Sequence, residues 1–161
     1  MMIYKTNDHV ELMRQSALLV SKTLTEIAGT LKPGITTLSI DRKVGEFIRD
    51  HQAIPSFLNY NGYPFNSCIS VNDVVVHGFP GPKELIEGDI ITIDIGVILN
   101  GWHGDHAYTF AIGDPGEEVM KPDTLARVKK AAVMVFTARS EREKGDTPIG
   151  SGSGFFINHT G

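Results

Sequence analysis

Between residues 90 and 99 every second side chain is apolar. Ile91, Ile93, Ile95, Val97 and Leu99 alternate with Thr92, Asp94, Gly96 and Ile98. A period of two is the signature of a strand with two unlike faces. Asn100-Gly101 follows at once and is a strong hairpin signal, because a type I′ turn needs positive φ at both central residues. Taking those two as the loop fixes a register. Leu99 faces Trp102, Ile98 faces His103, Gly96 faces Asp105 and Asp94 faces Ala107. One face of this hairpin is largely apolar, since Trp102, His106, Tyr108 and Phe110 join the isoleucines. The other is small and polar.

Two further stretches repeat at helical spacing. Residues 8–31 place Val10, Met13, Ala17, Val20, Leu24, Ile27 and Leu31 on one stripe, with Asp8 and Glu11 as a capping box and Lys32-Pro33-Gly34 as the stop. Residues 37–51 carry Ile40, Val44, Phe47, Ile48 and His51, with Thr36 or Thr37 as the cap. His51 suits the negative end of that helix dipole. Residues 67–71 and 74–77 read as two short strands. Residues 54–66 are irregular, and their aromatics, Phe57, Tyr60, Tyr63 and Phe65, are either anchors onto the core or walls of a pocket. Residues 123–136 read as a helix, although 131–137, AAVMVFT, equally suit a strand. Residues 139–146 read as a charged surface loop, and a Gly/Ser-rich stretch follows from 147.

Composition adds limits. The chain has 161 residues, 41% hydrophobic and 21% charged, which suits a globular domain with a real core. A net charge of −4 gives no broad nucleic-acid footprint. One cysteine, Cys68, leaves no intrachain disulfide framework and fits a reducing compartment. No apolar run has the length of a membrane span and the N-terminus has no signal-like core, so the expected location is cytoplasmic.

The polar face of the hairpin holds the candidate chemistry. Asp94 and Asp105 are diagonal partners on it, roughly 7–8 Å apart at Cα. Two carboxylates that close repel unless a cation lies between them. A pair of metals roughly 3.5–4 Å apart suits such carboxylates; a solvated face with two ordinary aspartates is the plain alternative. His77 stands before a Gly-Phe-Pro turn, where functional side chains often sit.

Residues 1 to about 116 resemble the N-terminal half of the type I methionine aminopeptidases, metal-dependent exopeptidases with the pita-bread fold. The resemblance rests on Lys32-Pro-Gly-Ile-Thr-Thr-Leu38, Asn61-Gly-Tyr-Pro64, Cys68-Ile-Ser-Val-Asn72, Val76-His-Gly-Phe-Pro80, Glu87-Gly-Asp-Ile90, Asp94-Ile-Gly96 and Gly101-Trp-His-Gly-Asp105, in order along the chain. It implies an α+β fold with two helices packed on an antiparallel sheet. It implies that Asp94 and Asp105 ligate metal, that His77 contacts substrate near the scissile bond, and that Tyr60, Tyr63, Cys68 and Phe57 line a methionine pocket. The implied reaction is metal-assisted hydrolysis that removes an N-terminal methionine from peptides and nascent proteins. Two divalent ions (Co, Mn, Fe or Zn) lower the pKa of a water and polarise the carbonyl.

The same resemblance implies five metal ligands, of which two are present here. The others are a histidine and two glutamates, with a further catalytic histidine. Residues 150–154 and 158–160 resemble the family's Gly-His-Gly-x-Gly and Glu-His-Thr segments, with Ser151 and Asn158 in the ligand positions. Residues 125–131 and 150–158 also resemble the opening strands of a trypsin-like serine protease domain of the periplasmic quality-control type. The expected organisation is therefore an aminopeptidase half, 1–116, and a divergent extension, 117–161, of foreign or truncated origin. An inactive half, or a non-catalytic module that binds peptide or protein, is the alternative to an enzyme. An uncovered apolar face would lead to self-association, partner binding or poor solubility.

Overall fold

A computed structural model describes residues 4–113. The expected helix or strand within 123–137, the loop at 139–146, the Gly/Ser-rich stretch and the protease-like segments lie outside the described residues.

The helices come first in the chain. α1 spans Asn7–Ala28 and α2 spans Thr37–Asp50. The N-cap of α1 is Thr6, not Asp8: the Thr6 hydroxyl accepts from the His9 amide, and His9 Nδ1 accepts from the Thr6 amide. The helix stops at Ala28, three residues before Leu31, with Gly29 as its C-cap. Its buried stripe is also offset from the expected one. Val10, Met13 and Ala17 are exposed, while Ser16, Leu19, Val20, Thr23, Leu24 and Ile27 are buried. Ser16 and Thr23 tolerate burial because their hydroxyls reach backbone carbonyls, Thr23 Oγ1 to Leu19 at 2.8 Å. In α2, Thr36 is the cap, Ile40, Val44 and Ile48 are fully buried, and His51 ends the helix with Nδ1 2.8 Å from the Phe47 carbonyl.

The sheet is antiparallel and centred on β3. Its strands are β1 (Ile54–Pro55), β2 (Ser67–Val71), β3 (Ile90–Leu99) and β4 (Trp102–Ala111). β4 pairs with β3 along its whole length, in the register expected from the Asn100-Gly101 turn. Both turn residues have positive φ, 53° and 80°. β1 and β2 share the opposite edge of β3 in tandem, β1 beside Val97 and Ile98 and β2 beside Ile91 to Ile95. Ile91, Ile93, Ile95 and Val97 are fully buried against both helices in one core that includes Ile69, Leu85 and Ile112.

Residues 74–77 are not a strand. A turn bond from the Val74 amide to the Val71 carbonyl breaks the extension, and Gly78 bonds β2 through the Ile69 amide at 2.8 Å. Val74, Val75 and Val76 are exposed, so the apolar run has no sheet neighbour to pack on. β propensity reflects such packing more than backbone preference.

Two close approaches set the layers. A Cβ on Gly104 would lie 2.5 Å from the Ser16 carbonyl carbon and 2.6 Å from the Ala17 nitrogen, so α1 rests on the backbone of β4. Beside it, Ser16 Oγ donates to the Trp102 carbonyl at 2.8 Å.

Candidate metal centre and substrate pocket

Directly paired residues share a sheet face. Cys68, Asp94 and Ala107 therefore form one row across β2, β3 and β4, on the face turned away from the helices. The neighbouring row holds Gly96 and Asp105. The two carboxylates stand on the same face of adjacent strands, as the turn and the pleat require.

Their surroundings differ. Asp105 is exposed, whereas Asp94 is 7% exposed and its Oδ1 is buried with no hydrogen-bond partner. Burial first, and the Asp105 charge second, push the Asp94 carboxyl up to about 7. A buried acceptor without a donor is costly. A divalent cation between the carboxylates would satisfy it, and carboxylate oxygens are suitable donors for such ions. The pair thus fits part of a metal site. Among the described residues no group of three or more His, Cys, Asp or Glu side chains gathers to complete one.

Around this row stand the aromatic residues. The Phe57 ring covers Gly96, where a Cβ would come 2.6 Å from Phe57 Cε1. Gly96 thus leaves room for a ring beside the carboxylates. Tyr63 donates its hydroxyl to the Ser67 carbonyl at 2.9 Å and lies beside the Cys68 thiol, with which it interacts. Burial raises the Tyr63 hydroxyl, and the Cys68 contact adds to it. Burial likewise raises the Cys68 thiol; the Tyr63 interaction opposes this, and the charges of Asp94, Asp105 and Asp41 reinforce it. Burial of Cys68 thus favours the protonated thiol over the thiolate. Tyr60 is 56% exposed, in a short 3₁₀ turn at Tyr60–Gly62. His77 is exposed, has φ of 56°, and lies beside the outer edge of β2 next to Gly78, outside the Cys68–Asp94 row.

Sequence patterns missed several supports. Asp41 is buried on α2 and accepts from the amides of Asn66 and Ser67, from Ser67 Oγ and from Asn66 Nδ2, all within 2.8–2.9 Å. It fixes where the chain re-enters β2 after the aromatic loop. Asn72 and Asp89 likewise join the end of β2 to the start of β3. A lone polar residue in an amphipathic helix or a turn carries no periodic signal, so neither stands out.

A sequence profile described as metallopeptidase family M24 matches residues 11–143. The chain belongs to metallopeptidase family M24. Its M24 relatives include the methionine aminopeptidase of Clostridium perfringens, 47% identical over 121 residues, 75% of this chain and 49% of that protein. Methionine aminopeptidase 1 of Bacillus subtilis is 44% identical over the same shares. Among solved structures, the methionine aminopeptidase of Rickettsia prowazekii superimposes with a TM-score of 0.75 at 40% identity, covering 83% of this chain and 53% of that one. The Xaa-Pro dipeptidase of Bacillus anthracis, 18% identical with a TM-score of 0.60, shares the fold. This M24 chain thus has the pita-bread fold, and it spans about half the length of the curated relatives it matches. The family is one of metallopeptidases, which implies use of a divalent metal.

Proposed function

We propose that the chain forms the part of a methionine aminopeptidase that carries two metal-binding carboxylates and the wall of the methionine pocket. The observation that carries this is the buried, unpartnered Oδ1 of Asp94 on the same sheet face as Asp105. Asp94 and Asp105 would hold divalent metal, two ions of the Co, Mn, Fe or Zn type, in the cytoplasm. Bound metal would supply a nucleophile near neutral pH and polarise the scissile carbonyl. The remaining roles fall to the chain's own side chains. Phe57, Tyr60, Tyr63 and neutral Cys68 bound an apolar pocket that accepts a thioether and excludes water. His77 hydrogen-bonds the substrate near the cleaved bond.

A second reading is a half-site that binds metal and peptide without turnover, and associates with a partner or a second copy. It is favoured by the two-carboxylate donor set among the described residues. One experiment separates them. The chain and an Asp94→Asn, Asp105→Asn variant are titrated calorimetrically with Mn²⁺ and assayed on a Met-Ala-Ser peptide. Metal binding and hydrolysis that both need the aspartates establish the enzyme. Binding without hydrolysis establishes the half-site. Equal Mn²⁺ binding by the variant removes the metal assignment.

A further inference from the structure

Three aromatic rings meet between the pocket loop and the His77 turn. Tyr63 and Phe79 are edge-to-face, 5.1 Å apart at 89°; Tyr63 and Phe65 lie 5.8 Å apart at 72°; Phe65 and Phe79 lie 5.8 Å apart at 70°. Phe79 is 66% exposed, so burial alone does not explain its place. Edge-to-face pairs contribute beyond the area they bury. Two residues before it, His77 holds a left-handed backbone with φ of 56°, which a residue with a Cβ adopts only when its surroundings enforce it.

The enforcement comes from both sides of Gly78. The Ile69 amide donates to the Gly78 carbonyl at 2.8 Å, and the Gly78 amide donates to Ser70 Oγ at 3.2 Å. This pins the turn to β2 by its backbone. The ring of Phe79 pins it to the pocket loop. We propose that Phe79 is a positioning residue: its ring, bracketed by Tyr63 and Phe65, fixes the His77–Gly78 turn against the Tyr63 wall of the pocket. Its relevance to substrate rests on the reading of Tyr63 and His77 given above.

The test uses the full chain and the variants Phe79→Ala, Phe79→Leu and Phe79→Tyr. Amide hydrogen exchange at Ile69 and Gly78, and the His77 ring resonance, are followed by NMR. In Phe79→Ala and Phe79→Leu, exchange at both amides speeds up about tenfold, the scale of two aromatic pairs, and the His77 signal moves. Exchange in β3 and β4 stays unchanged, and Phe79→Tyr restores the wild-type pattern. Unchanged Ile69, Gly78 and His77 signals in Phe79→Ala overturn the proposal, as does faster exchange spread evenly over the sheet. L-Methionine titrated into the same proteins tests the underlying reading separately. Local loosening with methionine affinity unaltered keeps the positioning role and removes Tyr63 and His77 from the substrate pocket.

Discussion

Cys68 and Asp94 stand directly opposite each other across β2 and β3, both buried and both with their acidic groups raised by that burial. The sheet therefore holds a thiol and a carboxyl side by side in a place that disfavours charge on either.

The carboxyl makes stability depend on pH. Asp94 is raised from 3.8 to about 7 in the fold, so the folded chain binds more protons than the unfolded chain between those values. Stability of the metal-free protein then falls as pH rises from about 4 to about 7 and levels off above. At about 1.4 kcal/mol per pH unit, the loss is on the order of 4 kcal/mol. Urea unfolding at pH 5 and pH 8 reads the part lost above pH 5, about 3 kcal/mol. Asp94→Asn flattens the profile and leaves the protein more stable than wild type at pH 8. Added Mn²⁺ stabilises wild type at pH 8 much more than at pH 5, because binding must displace the Asp94 proton.

Asp41 contributes through hydrogen bonding. Its side-chain oxygens gather four short hydrogen bonds where the aromatic loop joins β2. Asp41→Ala leaves the buried Ser67 amide and hydroxyl unpaired and is expected to cost about 3 kcal/mol. Asp41→Asn, which keeps an acceptor, costs less. Denaturant midpoints measured with unchanged m-values check both.

The contact of α1 with β4 predicts a sharp contrast between glycines. Gly104→Ala drives a methyl into the backbone of Ser16 and Ala17, which cannot rotate away, and should cost about 3 kcal/mol. Gly81→Ala meets nothing within 4 Å and should change stability by less than about 0.5 kcal/mol. Thermal unfolding of the two variants side by side is sufficient.

Ser16→Ala removes the hydroxyl that ties α1 to the hairpin turn at Trp102. One hydrogen bond of this kind contributes about 1 kcal/mol. The loss should appear as a matching fall in stability, with faster amide exchange confined to the hairpin end.

The hairpin was the most legible part of the sequence. Asn100-Gly101 sets a turn, the turn sets a register, and the register places Asp94 and Asp105 on one face; each step follows from local backbone geometry. Helix α1 was harder. Its existence follows from periodicity, but its rotation depends on Gly104 admitting Ser16, a contact between residues far apart in sequence. Its cap used His9 where the usual pattern has Glu or Gln. Residues 74–77 read as a strand, yet the chain turns at Val74 and the edge of β2 is taken by Gly78. Asp41 and the ring cluster around Phe79 were invisible for the same reason: their partners come from other segments.

The tandem placement of β1 and β2 on one edge of β3 has an evolutionary consequence. The chain leaves that edge at Pro55 and returns to it at Ser67, so the intervening loop is an excursion clamped at both ends by the same strand. Its aromatics are not part of the ladder that holds the hairpin in register. Such a loop behaves as an exchangeable cartridge. Substitutions within it can change the aromatic surface beside the carboxylates without touching the β3–β4 ladder that keeps Asp94 and Asp105 in register.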